Sequence, residues 1–63
     1  GLNPRQIKAV MYVKEKGKIT NKEYQEINQV SKRTANTDLS ELVHKYNIFQ
    51  PKGASVNICY EIK

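Results

Sequence analysis

The sequence predicts an α+β fold of three helices followed by a two-stranded β-hairpin, with a short strand after the first helix. Three observations carry that expectation. Helix-capping residues stand at three well-separated places: Asn3, Thr20 and Ser31. Apolar residues recur at helical spacing behind each of them. After Asn47 the apolar period changes to two, as a half-buried strand requires.

Asn3-Pro4 opens the first helix, with Asn as the capping acceptor and Pro at a first-turn position whose N–H would be unpaired anyway. Ile7, Val10 and Met11, with Ala9 and Val13 beside them, read as one broad apolar face. Gly17 suits a left-handed stop, and Lys14, Lys16 and Lys18 lie near the negative helix end. Lys18-Ile19 is long enough only to pair briefly with a later strand. Thr20-Asn21-Lys22-Glu23 is a capping box, and the helix it opens ends at Asn28-Gln29. Ser31 caps the third helix, with Val30 positioned to staple against Ala35. Ala35, Leu39, Leu42 and Val43 then keep helical spacing as far as Lys45, and Asn47 can adopt left-handed angles to terminate it. Helices are expected near 4–16, 21–28 and 32–45. Strands are expected near 48–51 and 56–62, with Pro51-Lys52-Gly53-Ala54-Ser55 as the hairpin tip.

A chain of 63 residues is one domain. Its core is thin, and it leaves little room for the enclosed cleft of roughly 300 Å³ or more that a catalytic site usually needs. Gly1 in place of a methionine suggests a piece of a longer protein. Lys and Arg number 11 against 6 Asp and Glu, a formal net charge of +5, which suits a polyanionic partner. Cys59 is the only cysteine, so neither an intrachain disulfide nor a cysteine-based zinc site can form; a lone thiol fits a reducing, cytoplasmic setting. His44 lacks companion ligands, so no metal is expected. Nor is a cofactor, since there is no phosphate-binding glycine loop. No nucleophile has a base beside it in sequence, and the acidic residues stand mostly among lysines as ordinary surface pairs. No apolar run approaches the roughly 20 residues of a membrane span. An enzyme is not expected.

The informative constellation is a short helix, a tight turn at Asn28-Gln29-Val30 and a longer helix. This is the spacing of a helix-turn-helix, whose second helix enters the major groove of DNA. With the core positions removed, the third helix presents Lys32, Arg33, Thr34, Asn36, Thr37 and Ser40 near its start. All of them can donate hydrogen bonds to phosphates and base edges, with Arg suited to guanine and Asn to adenine. The competing account is a solvated helix face.

Leu2-Asn3-Pro4-Arg5-Gln6, Gly17 to Tyr24 and Val30-Ser31-Lys32-Arg33-Thr34-Ala35, followed by Asp38-Leu39 and Leu42-Val43, resemble the winged helix-turn-helix of DeoR-like bacterial regulators. The likeness extends to the C-terminal winged domain of putative transcriptional regulators with a Schlafen/AlbA-type ATP-binding domain, often labelled as related to RecG-type ATP-dependent DNA helicases. It implies a recognition helix from about Ser31 to Lys45. Lys32, Arg33, Thr34, Asn36 and Thr37 would then meet double-stranded DNA, with Lys52 on the wing; the helix's own residues add Ser31 and Ser40 to the expected contact set. The chain departs from the family pattern where a glycine is usual, at Asn28 or Gln29 and at Asn47.

Two other function classes compete. Winged helices also serve as docking or dimerisation modules, here towards other domains of a parent chain or a second copy. The four tyrosines fit that reading, Tyr12 in particular, which lies off the main apolar stripe. A membrane-surface role finds no helix that opposes a strong apolar face to a fully basic one.

Overall fold

The computed structural model describes residues 1–53 and 58–63. Elements run α1 (Pro4–Lys16), β1 (Ile19–Thr20), α2 (Asn21–Asn28), α3 (Lys32–His44), β2 (Phe49–Lys52) and β3 (Cys59–Ile62). The expected tip residues Ala54 and Ser55, and the expected strand start at Val56, lie outside the described residues.

Each helix starts where its cap dictates. The Asn3 side chain accepts from the Gln6 N–H at 2.8 Å, and the Asn3 N–H donates to Gln6 Oε1 at 3.0 Å, so α1 also opens on a capping box. Thr20 and Glu23 make the same reciprocal pair at α2, and Ser31 accepts from Thr34 N–H at α3. Gly17 closes α1 at φ 96°, its N–H donating to Val13 O at 2.7 Å. Helix α3 stops at His44, short of Asn47. A wider turn follows, with Ile48 N–H donating to Leu42 O at 2.8 Å and Asn47 left-handed at φ 56°.

The sheet is antiparallel in the order β1-β3-β2. Ile19 pairs with Tyr60 and Thr20 with Cys59, so the two-residue strand after α1 docks on the hairpin. Strand β2 runs one residue further than expected, through Pro51 and Lys52, opposite Tyr60 and Cys59. Proline is tolerated there because β2 is an edge strand. Of the apolar residues that alternate along the last strand region, Ile58 and Tyr60 are half-buried, but Ile62 is exposed.

Ala9, Val13, Ile19, Tyr24, Ala35, Leu39, Leu42 and Phe49 form the core. Two expectations change here. The buried side of α1 is Gln6, Ala9 and Val13, whereas Ile7 and Met11 are 48% and 66% exposed. And Asp38 is buried, not a surface-pair residue.

The physical reason is one polar cluster. The Asp38 carboxylate accepts from Arg5 Nε at 2.7 Å, Arg5 Nη2 at 3.3 Å, the Tyr24 hydroxyl at 2.7 Å and Asn3 Nδ2 at 3.4 Å. Gln6 Nε2 donates to Asp38 O at 3.2 Å and Glu41 Oε1 at 2.9 Å. Buried polar groups are tolerated when fully paired, and among the described residues no buried side-chain polar atom lacks a partner. Once Gln6 faces inward, α1 is rotated so that Ile7 and Met11 face out.

Candidate nucleic-acid interface

The turn between α2 and α3 is closed by Gln29 at φ 53°. Its N–H donates to Gln25 O, and the Val30 N–H reaches the same carbonyl at 3.2 Å. Gln29 therefore occupies the left-handed position where a glycine would be unstrained. Val30 is half-buried and packs against the cluster that contains Ala35. Ala35 is fully buried, and its single methyl suits the place where α3 meets the rest of the fold.

With Ala35, Asp38, Leu39 and Leu42 turned inward, the opposite side of α3 carries the expected residues. Lys32, Arg33, Asn36, Thr37 and Ser40 are exposed, as is the cap Ser31, and Thr34 is half-buried. Arg33, Asn36, Thr37 and Ser40 line one shallow concavity together with Glu41. Lys52 is exposed at the end of β2. A second concavity runs between α3 and the sheet. Asn36 and Ser40 are shared with the first, and Val43, His44, Pro51 and Tyr60 contribute to the rest. The sequence does not single out these last four as groove residues, because the α3-to-sheet packing that assembles them is not local.

Several of these side chains are already engaged. Ser31 Oγ accepts from the Thr34 N–H and donates to Thr34 Oγ1 at 3.2 Å. The Thr37 hydroxyl donates to Arg33 O at 3.1 Å. Asn21 Nδ2 makes long contacts of 3.5 Å with Lys32 O and Asn36 Oδ1. Lys32 and Arg33 have no ion-pair partner among the described residues.

The electrostatics of the face follow from the interior. Helix α3 carries two carboxylates, and both are committed elsewhere: Asp38 to Arg5, Tyr24 and Asn3, and Glu41 to Gln6. Burial alone would raise the Asp38 pKa. The hydrogen bonds from Arg5 and Tyr24 and the Arg5 charge outweigh it and hold the group below its ordinary value. Asp38 is therefore ionised at neutral pH, with its charge compensated inside the fold. The outer face keeps Lys32 and Arg33 without an ion pair among the described residues, with Glu41 at the edge of the concavity that Arg33 lines.

Among the described residues no group of three or more His, Cys, Asp or Glu could hold a metal ion, and no helix is long and apolar enough to cross a membrane.

A three-helix core, a tight helix-to-helix turn and a small antiparallel sheet behind the third helix define a small winged helix-turn-helix domain. Residues 5–57 match the family model of the DeoR-like helix-turn-helix domain. The chain belongs to that family, a class of DNA-binding regulatory modules. No curated protein and no solved structure matches it.

Proposed function

We propose that this domain binds double-stranded DNA by placing the outward face of α3 in the major groove. In this reading Lys32 and Arg33 supply the charge, and Arg33 and Asn36 read base edges. Ser31, Thr34, Thr37 and Ser40 line the interface, and Lys52 meets a phosphate from the wing. The observation that carries it is the outer side of α3, where Lys32, Arg33, Asn36, Thr37 and Ser40 stand exposed together while the Asp38 charge is compensated inside the fold by Arg5. Family membership supports the same reading. The likeness in sequence to the C-terminal winged domain of Schlafen/AlbA-type regulators supports a place in a cytoplasmic transcriptional regulator.

One recognition helix and a wing with a single lysine offer a small charged footprint, so the isolated domain binds in the non-specific range of about 10⁻⁴–10⁻⁶ M at physiological salt. The test is a salt series of duplex titrations. Lys32→Ala and Arg33→Ala each weaken binding, and removing one phosphate-neutralising charge lowers the logarithmic salt slope by roughly 0.9. Unchanged affinity and slope in both variants would overturn the assignment.

A further inference from the structure

The outward side of α1 has a chemistry unlike that of α3. Ile7 and Met11 are 48% and 66% exposed one turn apart. Met11 lies in a shallow groove between α1 and α2 lined by Lys8, Tyr12, Glu15 and Ile27. Tyr12 is held in place by its hydroxyl, which donates to Glu23 Oε2 at 2.8 Å. Lys8 and Glu15, at the two ends of the groove, have no ion-pair partner among the described residues.

The order of these residues along α1 is self-complementary. Lys8 and Glu15 are equidistant from the midpoint between Met11 and Tyr12. At about 100° per residue they also fall on the same flank of the Met11 stripe, roughly 20° apart. Suppose two copies of α1 lie antiparallel about a twofold axis through that midpoint. Lys8 of one copy then stands beside Glu15 of the other, Glu15 beside Lys8, and each Met11 faces the other copy's groove. An isologous interface requires this reciprocity of a single surface. A groove meant for an unrelated partner does not.

We propose that the α1–α2 groove is a self-association surface, and that its occupant is a second copy of this domain with α1 antiparallel to α1. One helix face covers less than the roughly 800 Å² per partner of a standard interface. The pair is therefore weak in isolation, populated at millimolar protein and dispersed at micromolar. The groove shares no residue with the outer face of α3, so both α3 faces stay free in the dimer. The proposal does not depend on what α3 binds, and its test contains no DNA.

The experiment is sedimentation equilibrium from micromolar to millimolar protein, with amide shifts followed on dilution. Wild type is expected to associate at the upper end, with dilution shifts at Ile7, Met11, Glu15 and Ile27. Met11→Asp abolishes association, and a thermal melt verifies that the fold survives, since the side chain is mostly exposed. Lys8→Glu or Glu15→Lys alone turns two attractive pairs repulsive and weakens association about tenfold. The double variant Lys8→Glu/Glu15→Lys restores it. A monomer at millimolar concentration, which is also the outcome expected if another domain covers this face, would overturn the proposal. So would single reversals without effect, or a double variant that fails to recover.

Discussion

The Tyr24 hydroxyl donates to Asp38 Oδ2 at 2.7 Å in the interior, tying the middle of α2 to the middle of α3. Arg5 reaches the same oxygen from α1 at 2.7 Å. One carboxylate thus holds three helices in register and sets the angle at which α3 leaves the helix-turn-helix turn. The outward face of α3 is aimed by an interaction on its inward side.

Removing either partner tests that interaction. Tyr24→Phe keeps the packing and deletes one hydrogen bond to a charged acceptor, which should cost about 1–2 kcal/mol. Asp38→Ala leaves the buried Tyr24 hydroxyl and the Arg5 and Asn3 side chains without their shared acceptor and should cost about 3 kcal/mol. Urea denaturation of both variants measures the two values. Equal and negligible effects would mean the cluster is incidental.

The same cluster gives the domain an acid limit. Asp38 is held below its ordinary pKa, as is Glu23, chiefly through the hydrogen bond from Tyr12. For a depressed carboxylate the stabilisation is complete above its unfolded-state pKa, about 3.9 for Asp and 4.3 for Glu, and disappears as pH falls through the lower folded value. Melting temperature should therefore hold steady above about pH 5 and fall below pH 4. In Asp38→Asn the fall should be shallower. At the alkaline end, burial and the hydrogen bond to Asp38 raise the Tyr24 pKa. That stability is present below the unfolded tyrosine pKa of about 10 and disappears as pH rises through the higher folded value.

Leu39 is fully buried in the middle of α3. Leu39→Ala should destabilise the domain by about 2–5 kcal/mol, the usual range for such a truncation. In a domain this small that is a large share of the total. Thermal melting would register it as a shift of many degrees, or as loss of the folded state.

Gln29 carries a left-handed backbone at φ 53°, a conformation that costs a non-glycine residue roughly 1–2 kcal/mol. Gln29→Gly relieves that strain while adding backbone freedom to the unfolded chain, so a net gain of about 0.5 kcal/mol is expected. A lower melting temperature in this variant would contradict the strain argument.

The element boundaries were legible because their signals are local. Asn3, Thr20 and Ser31 each cap a helix through a residue three positions on, and Gly17 takes the left-handed stop that its type permits. The phase of α1 was legible only in part: Ala9 and Val13 are buried as expected and Val10 packs on the core, but Ile7 and Met11 are exposed. Polarity places Ile7 and Met11 inside and Gln6 and Asp38 outside, and the fold reverses all four. Gln6 is buried because its partners, Asp38 and Glu41, arrive from α3, 32 and 35 positions away. No window along α1 contains that information. One local signal did exist: Asn3 and Gln6 have the spacing of a capping box, which draws Gln6 back towards the helix start. The exposed row from Lys32 to Ser40 was legible as the complement of Ala35, Leu39 and Leu42. The groove between α3 and the sheet was not, because Pro51 and Tyr60 reach it only through the sheet.

Contact between the outward face of α3 and DNA can be read residue by residue. Its most direct test is a residue-by-residue map of backbone amide shifts during titration with a short duplex at low salt, repeated at higher salt. Shifts are expected at Lys32, Arg33, Asn36, Thr37 and Ser40, with a second group at Lys52, all shrinking as salt rises. Shifts confined to α1 around Ile7 and Met11, or none at any salt, would contradict it.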